Sequence, residues 1–369
     1  MTAGPADQEE FDRAHAMWKG GRHAEAALLL EDLTQRHSDN AGLFSALGVC
    51  RFEAGAYGPA RLALERALAL DPDQGIAAYN LAHLLLLEGD EERGFQLYER
   101  RWASFQRPSW HPSSDLAWDG QALDGTLLVL AEQGFGDMIQ FARFLPLAAR
   151  RCRRLLLAVP PELKRLLAGV DGVAEVIVSG QTLPAFDRFV MMTSLPYRLR
   201  AFGQDRPQPP YLPLPAPMPL PGAGFKVGLV WAGRAAHAED RLRSLTPEHL
   251  APLLAVEGVD FFSLQLGQGA APAGMTDLAP HLGDFMDTAA ALAGLDLLIS
   301  ADSAPAHLAG ALGRPVWTFV TFVPDWRWGL GARESAWYPS MRLLRQESPG
   351  DWRAPIMKAA QNLEKLIHP

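Results

Sequence analysis

The chain reads as an α-solenoid of helix pairs followed by two α/β lobes, and three observations predict that order. A 34-residue period runs from Ala14 to Tyr98. From Thr126 onward, short apolar runs of strand length alternate with helical patterns, the signature of parallel sheets covered on both faces. Eight prolines stand in the 15 residues from Pro207 to Pro221, too many for any regular element, and they divide the second part in two.

The period is carried by four columns. Gly21, Gly55 and Gly89 are 34 residues apart, and the same step links Ala14 to Gly48 to Ala82, Ala26 to Ala60 to Gly94, and Leu30 to Leu64 to Tyr98. Small residues where two helices cross let them approach closely, as a helix-turn-helix repeat requires. The pattern resembles the tetratricopeptide repeat, in three copies over residues 7–103. Pro72 stands where such repeats end their second helix, and the third copy fades at Arg101, where that family prefers alanine. Residues 104–125 read as a linker with anchors. Trp110 and Trp118 are expected to pack on a domain, or alternatively to form an aromatic acceptor platform.

Residues 126–215 make the first lobe. Strands are expected near residues 127–131, 155–159, 176–178 and 186–192, with one amphipathic helix over residues 138–150. Residues 222–369 make the second lobe, with strands near 227–231, 261–264, 297–300, 316–320 and 342–344 and a closing helix from Pro355 to Ile367. Two such lobes on a proline hinge describe a GT-B (Rossmann-like) domain or a pair like the periplasmic binding proteins.

The densest stretch is LDLLISADSAPAHLAGALGRPVWTFV, Leu295 to Val320. A buried strand runs into Asp302 and Ser303, a helix opens at Pro305 and His307, and Gly313 with Pro315 closes it. In an open α/β sheet the ligand crevice lies beyond the carboxyl ends of the strands, where a helix N-terminus offers free N–H groups to a phosphate. Asp302 or Ser303 as a simple helix cap, and His307 as a packed histidine, is the plainer reading. The Asp-Ser-x-x-x-His sequence resembles the phosphate turn of the bacterial heptosyltransferases, sugar transferases of GT-B fold. Ala304 stands where that pattern has glycine.

Sugar transfer from a nucleotide donor asks for a base, for donors to the departing diphosphate, and for a nucleoside pocket. Asp137 is the base candidate, because the turn Glu132-Gln133-Gly134-Phe135-Gly136-Asp137 ends the first strand of its lobe and so faces the cleft; Glu132 is the second. The heptosyltransferase resemblance implies the same role for Asp137, through a similar Gly-Asp, while capping of the following helix is the bland alternative. For the diphosphate, the strand end at Trp231 supplies Gly233, Arg234, Arg241, Arg243 and Ser244, and Arg suits the work through its planar fork. Gln265 and Asp284 are candidates for base and ribose. Trp326 and Trp328 flank Arg327 and either wall the sugar pocket or plug the core between the lobes.

A net charge of −8 over 369 residues argues against nucleic acid or an anionic membrane as partner. Two cysteines, Cys50 and Cys152, lie in different domains, and the N-terminus has acidic residues where a signal peptide is basic; the expected place is the cytoplasm, with no membrane span. No His, Cys or Asp cluster has metal-ligand spacing and no Asp-x-Asp occurs at a strand end, so neither metal nor other cofactor is expected. Together these features resemble bacterial repeat proteins with a heptosyltransferase-like domain, akin to flagellin glycosyltransferases. The resemblance implies inverting transfer from a nucleotide sugar to a hydroxyl, with a protein or peptide acceptor on the repeat surface. A lipid or saccharide acceptor is one alternative; a non-catalytic repeat adaptor is another.

Overall fold

The computed structural model describes residues 5–104, 112–233, 240–267 and 270–368 and divides into two compact units, 1–111 and 112–369. Trp110 and Arg234, and the side chain of Arg241, lie outside the described residues.

The first unit is helical. Three pairs follow one another: α1 (Pro5–Lys19) with α2 (His23–Arg36), α3 (Ala41–Glu53) with α4 (Tyr57–Leu70), and α5 (Gly75–Glu88) with α6 (Glu91–Tyr98), before a short α7 (Arg101–Ser104). Each column of the period now has a physical reason. Gly21, Gly55 and Gly89 hold φ of 78°, 76° and 89°, the left-handed backbone that turns one helix into its partner without a Cβ penalty. A Cβ on Gly48 would meet Leu64 Cγ at 2.5 Å, so glycine is needed where α3 crosses α4. Ala26 and Ala60 are wholly buried at the matching crossings.

The second unit holds two parallel sheets. In the first, β1 (Leu123–Leu130), β2 (Cys152–Val159), β3 (Val173–Val178) and β4 (Arg188–Met191) stand in the order β3-β2-β1-β4. The helix expected over residues 138–150 is instead broken. α8 (Phe135–Phe141) passes through a 3-10 turn at Ala142–Phe144 into α9 (Leu145–Ala149), because Pro146 has no N–H to continue the ladder. The short helices α10 (Pro161–Leu167) and α11 (Leu195–Leu199) complete this lobe.

The second sheet takes the order β10-β9-β8-β5-β6-β7, from β5 (Phe225–Val230), β6 (Val259–Ser263), β7 (Met275–Asp277), β8 (Leu297–Ala301), β9 (Val316–Val320) and β10 (Met341–Arg345). Around it lie α12 (Asp240–Arg243), α13 (Ala251–Leu254), α14 (Phe285–Gly294), α15 (Ala304–Ala311) and α16 (Arg353–Ile367). Leu297, Leu298 and Ile299 are buried on both faces of β8, which is why they run without polar alternation.

Strand order now positions the site. In each sheet the first strand has neighbours on both sides, so the connections leave it in opposite directions and a crevice opens beyond its carboxyl end. For β1 that end is Glu132 to Gly134; for β5 it is Trp231 to Gly233; beside β5, β8 delivers Asp302.

Candidate active site

The first-lobe contribution is a strained turn. Gln133 follows β1 with φ of 69°, a left-handed conformation uncommon for a residue with a side chain. It swings the chain into α8, where Asp137 occupies the third helical position and its Oδ2 accepts from the Gly134 amide at 2.9 Å. The capping role is therefore real. The other carboxylate oxygen, Oδ1, accepts from Arg327 of the second lobe. Glu132 is buried, and the Thr193 hydroxyl donates to it, which ties the end of β1 to the segment after β4.

The second-lobe contribution begins where β8 ends. Ser303 is the N-cap residue of α15, but no side chain caps the helix; its hydroxyl lies 3.0 Å from that of Ser300. Ala304 does not take a positive φ, so the glycine of the heptosyltransferase pattern is not needed for backbone shape. Asp302 Oδ2 accepts from Trp328 Nε1 at 2.8 Å, and its Oδ1 stands 3.9 Å from His307 Nε2. The His307 ring is stacked on Trp328 with centroids 5.2 Å apart, and its Nδ1 is 2.9 Å from the Tyr338 hydroxyl.

The two motifs meet. A Cβ on Gly136 would come within 2.8 Å of His307 Cδ2, so the glycine before Asp137 is what lets the turn of one lobe lie on the histidine of the other. Arg327 spans the same junction. Its Nη1 donates to Asp325 at 2.9 and 3.0 Å, its Nε to Gln140 Oε1, and its Nη2 to Asp137.

Burial sets the charge states. Burial first, then the nearby Asp325 carboxylate, pushes Asp302 up to about 6. His307 is pushed down to about 3, by burial and then by the Arg327 guanidinium, so at neutral pH the ring is uncharged. It acts at this pH as a hydrogen-bond group and not as a cation.

Other candidates are placed differently. Gln265 reaches across to β5, and its Oε1 accepts from the Trp231 and Ala232 amides at 3.0 and 2.9 Å; it braces a strand end instead of facing open space. The Ser244 hydroxyl accepts from the Gly233 amide at 3.1 Å. Arg243 is near enough to bias the titration of both Asp302 and His307. Asp284 caps α14, accepting from Met286 N at 2.8 Å, and pairs with Arg165 of the first lobe. Of the two places expected for Trp326, the structure has the core between the lobes. It is buried between lobes against Phe141 and edge-on to Trp337, 5.5 Å between centroids, because its neighbour Trp328 takes the position over His307. Trp118 is buried as an anchor, its indole N–H donating to the Gln121 carbonyl.

Sequence reasoning missed Arg327, Tyr338 and Arg143 as members of this cluster; the Arg143 guanidinium lies over the Tyr338 ring, 5.0 Å from its centroid. The Pro324-Asp325-Trp326-Arg327-Trp328 run was a signal for the first. For Tyr338 and Arg143 there was none, since their partners lie far away in the chain.

Among the described residues no group of three or more His, Cys, Asp or Glu side chains is placed to hold a metal ion, and no described helix is long and apolar enough to cross a membrane.

Comparison with known proteins gives the following. Protein FlbA of Caulobacter vibrioides is 29% identical over 342 residues, 79% of this chain and 55% of that protein. A peroxisomal targeting signal receptor of Yarrowia lipolytica is 35% identical over 92 residues, 25% of this chain and 15% of the receptor. The chain thus spans about half, or much less, of these relatives' own lengths. Among solved structures, the iron-containing dodecameric glycosyltransferase TibC of enterotoxigenic E. coli H10407 aligns at a TM-score of 0.47 and 17% identity, covering 64% of this chain and 66% of TibC. The resemblance read from the two motifs is met in the second lobe: residues 265–330, which include Asp302, Ser303, His307, Arg327 and Trp328, match glycosyltransferase family 9 (heptosyltransferase).

Proposed function

We propose that the chain is a glycosyltransferase that moves a sugar from a nucleotide-sugar donor to a hydroxyl, with inversion, on a polypeptide acceptor held by the helical repeats. One observation carries the reading: a carboxylate turn of the first lobe, Gly136-Asp137, lies directly against the uncapped α15 and His307 of the second.

The roles follow from charge. As the anomeric bond breaks, negative charge collects on the departing diphosphate, and preorganised donors around that position lower the barrier. The first turn of α15, the neutral ring of His307 and the guanidinium of Arg243 supply them, without need of a metal ion. Asp137 takes the acceptor proton. Its Oδ1 accepts from Arg327, so proton transfer to that oxygen requires the pairing to be released. A base on one side of the sugar and an anion site on the other describe a single displacement, which inverts the anomeric centre. Glu132 fixes the turn through Thr193 and stands second as base.

The acceptor side rests on the repeats. Phe11, His15 and Trp18 stack along one side of α1 and line an apolar pocket with Ala46 and Val49. Stacked helical repeats present extended surfaces of this kind to peptides, and one relative is by name a receptor for a targeting signal. We place the protein in the cytoplasm, in keeping with the unpaired Cys50 and Cys152.

The adaptor reading has one observation in its favour: Arg327 occupies Asp137 while Gly136 covers an edge of His307, so the motifs close on each other. Asp137→Asn separates the two. It keeps shape and most hydrogen bonding but cannot take a proton, so donor affinity persists while turnover falls at least ~100-fold. Normal turnover in this variant moves the base to Glu132, and a wild-type protein that neither binds nor consumes any nucleotide sugar is an adaptor.

A further inference from the structure

We infer that Tyr338 is the positioning residue of His307: its hydroxyl donates to Nδ1 and thereby holds the ring's single hydrogen on Nε2, the nitrogen that faces the phosphate turn. The inference rests on the reading of that turn as a diphosphate site for its purpose, but not for its geometry.

A neutral imidazole has one donor and one acceptor nitrogen, and which is which follows from the partners of both. Here each ring nitrogen has one side-chain neighbour that bears on the choice. The Tyr338 hydroxyl is 2.9 Å from His307 Nδ1. On the other side Asp302 Oδ1 lies 3.9 Å from His307 Nε2, and an ionised carboxylate only accepts.

A carboxylate beside Nε2 favours a hydrogen on that nitrogen, which leaves Nδ1 as the acceptor and the Tyr338 hydroxyl as its donor. The opposite order turns the Nε2 lone pair toward a carboxylate. Tyr338 is fully buried, so its hydroxyl is not satisfied by bulk water in place of Nδ1. The ring cannot turn over to exchange its nitrogens without leaving the stack on Trp328 and the contact with Gly136.

The consequence is a donor aimed in advance. A phosphate oxygen arriving at the turn meets an N–H whose orientation was set from behind by a phenol, so little ordering is left to binding. Tyr338 itself need not touch the ligand.

Ring-nitrogen NMR of the full chain labelled with ¹⁵N-histidine tests this, with His307 assigned by its loss in His307→Gln. The expected spectrum shows one neutral tautomer from pH 7 to 8, where Asp302 is ionised, with the hydrogen on Nε2. In Tyr338→Phe the Nδ1 resonance moves away from its hydrogen-bonded position, and affinity for pyrophosphate, the probe used, falls about threefold to tenfold, the range for one neutral hydrogen bond. A hydrogen on Nδ1 in the wild type overturns the proposal, as do unchanged His307 nitrogen shifts in a folded Tyr338→Phe protein. The wild-type spectrum decides by itself should that variant not fold. A wild type that shows the Nε2 tautomer but binds no pyrophosphate leaves Tyr338 in its role and overturns the diphosphate reading instead.

Discussion

His307 and Gly136 concentrate the account in two residues. The neutral state of the ring has a consequence for stability that can be signed. Its folded pKa, about 3, lies below the ordinary histidine value of 6.5, so in the intervening range the unfolded chain binds a proton that the folded chain refuses. Stability from this group is complete above pH 6.5 and is lost as the pH falls toward 3, with a limiting slope of about 1.4 kcal/mol per pH unit. Asp302, raised to about 6 from 3.8, works the other way between those values, favouring the folded state as pH falls. Denaturation of wild type and His307→Gln between pH 7 and 4 checks this: the variant should lose less stability than the wild type. Parallel pH curves would show that the histidine is not held neutral. Gly136→Ala addresses the other partner. Its new methyl overlaps the imidazole, so we expect about 1–3 kcal/mol of destabilisation together with weaker nucleotide binding; a fully stable variant would show that the lobes do not meet there. Much of this was legible: Asp302, Ser303 and His307 follow from their spacing after an apolar strand, and Asp137 from its glycine turn. Tyr338 was not, because a contact made 31 residues from His307 leaves no periodic mark. Trp326 and Trp328 were both visible, but two residues apart in a 3-10 turn they face different ways, and composition does not say which one reaches the site.

At the scale of elements, the strand ends matter more than the strands. The carboxyl end of β5 is held by side chains from later in the chain: Gln265 takes two of its amides, and Ser244 takes the Gly233 amide. Removing such an acceptor leaves buried donors unpaired, at about 1–3 kcal/mol each. Gln265→Ala should therefore lower the melting temperature and also weaken nucleotide binding, since the strand end it braces is paired with β8, which leads to Asp302. A melting temperature within experimental error of wild type would contradict that bracing. Long parallel strands announced themselves as unbroken apolar runs, and all nine expected ones lie within or across observed strands. The missed one, β7, has three residues, Met275, Thr276 and Asp277, with no apolar run to mark it. The helix after β1 was read as continuous because its apolar spacing continues past Ala142; Pro146 breaks the hydrogen-bond ladder without disturbing that spacing.

For the whole molecule, the proposal assigns the acceptor to the repeats and the donor to the second unit. The 34-residue period made the first unit readable because each column meets a fixed geometric need, a left-handed turn or a close crossing. No comparable rule links a repeat surface to its ligand, so the acceptor is read from the aromatic pocket alone. His15 is exposed and lines it, so His15→Asp should leave the fold intact, reduce transfer to a polypeptide acceptor, and spare hydrolysis of the donor. Loss of both reactions would make the repeats a support for catalysis; loss of neither would favour a lipid or saccharide acceptor. The claim on which all of this depends is that the Asp302–His307 turn binds the diphosphate of a nucleotide sugar. Calorimetric titration of wild type and His307→Ala with ADP-, GDP-, UDP- and dTDP-sugars tests it most directly. The account predicts saturable binding of one nucleotide class to the wild type, weakened in the folded variant by roughly 10- to 150-fold, the equivalent of a hydrogen bond to a charged group. Equal affinity in the two proteins, or no binding by the wild type across the panel, would contradict it.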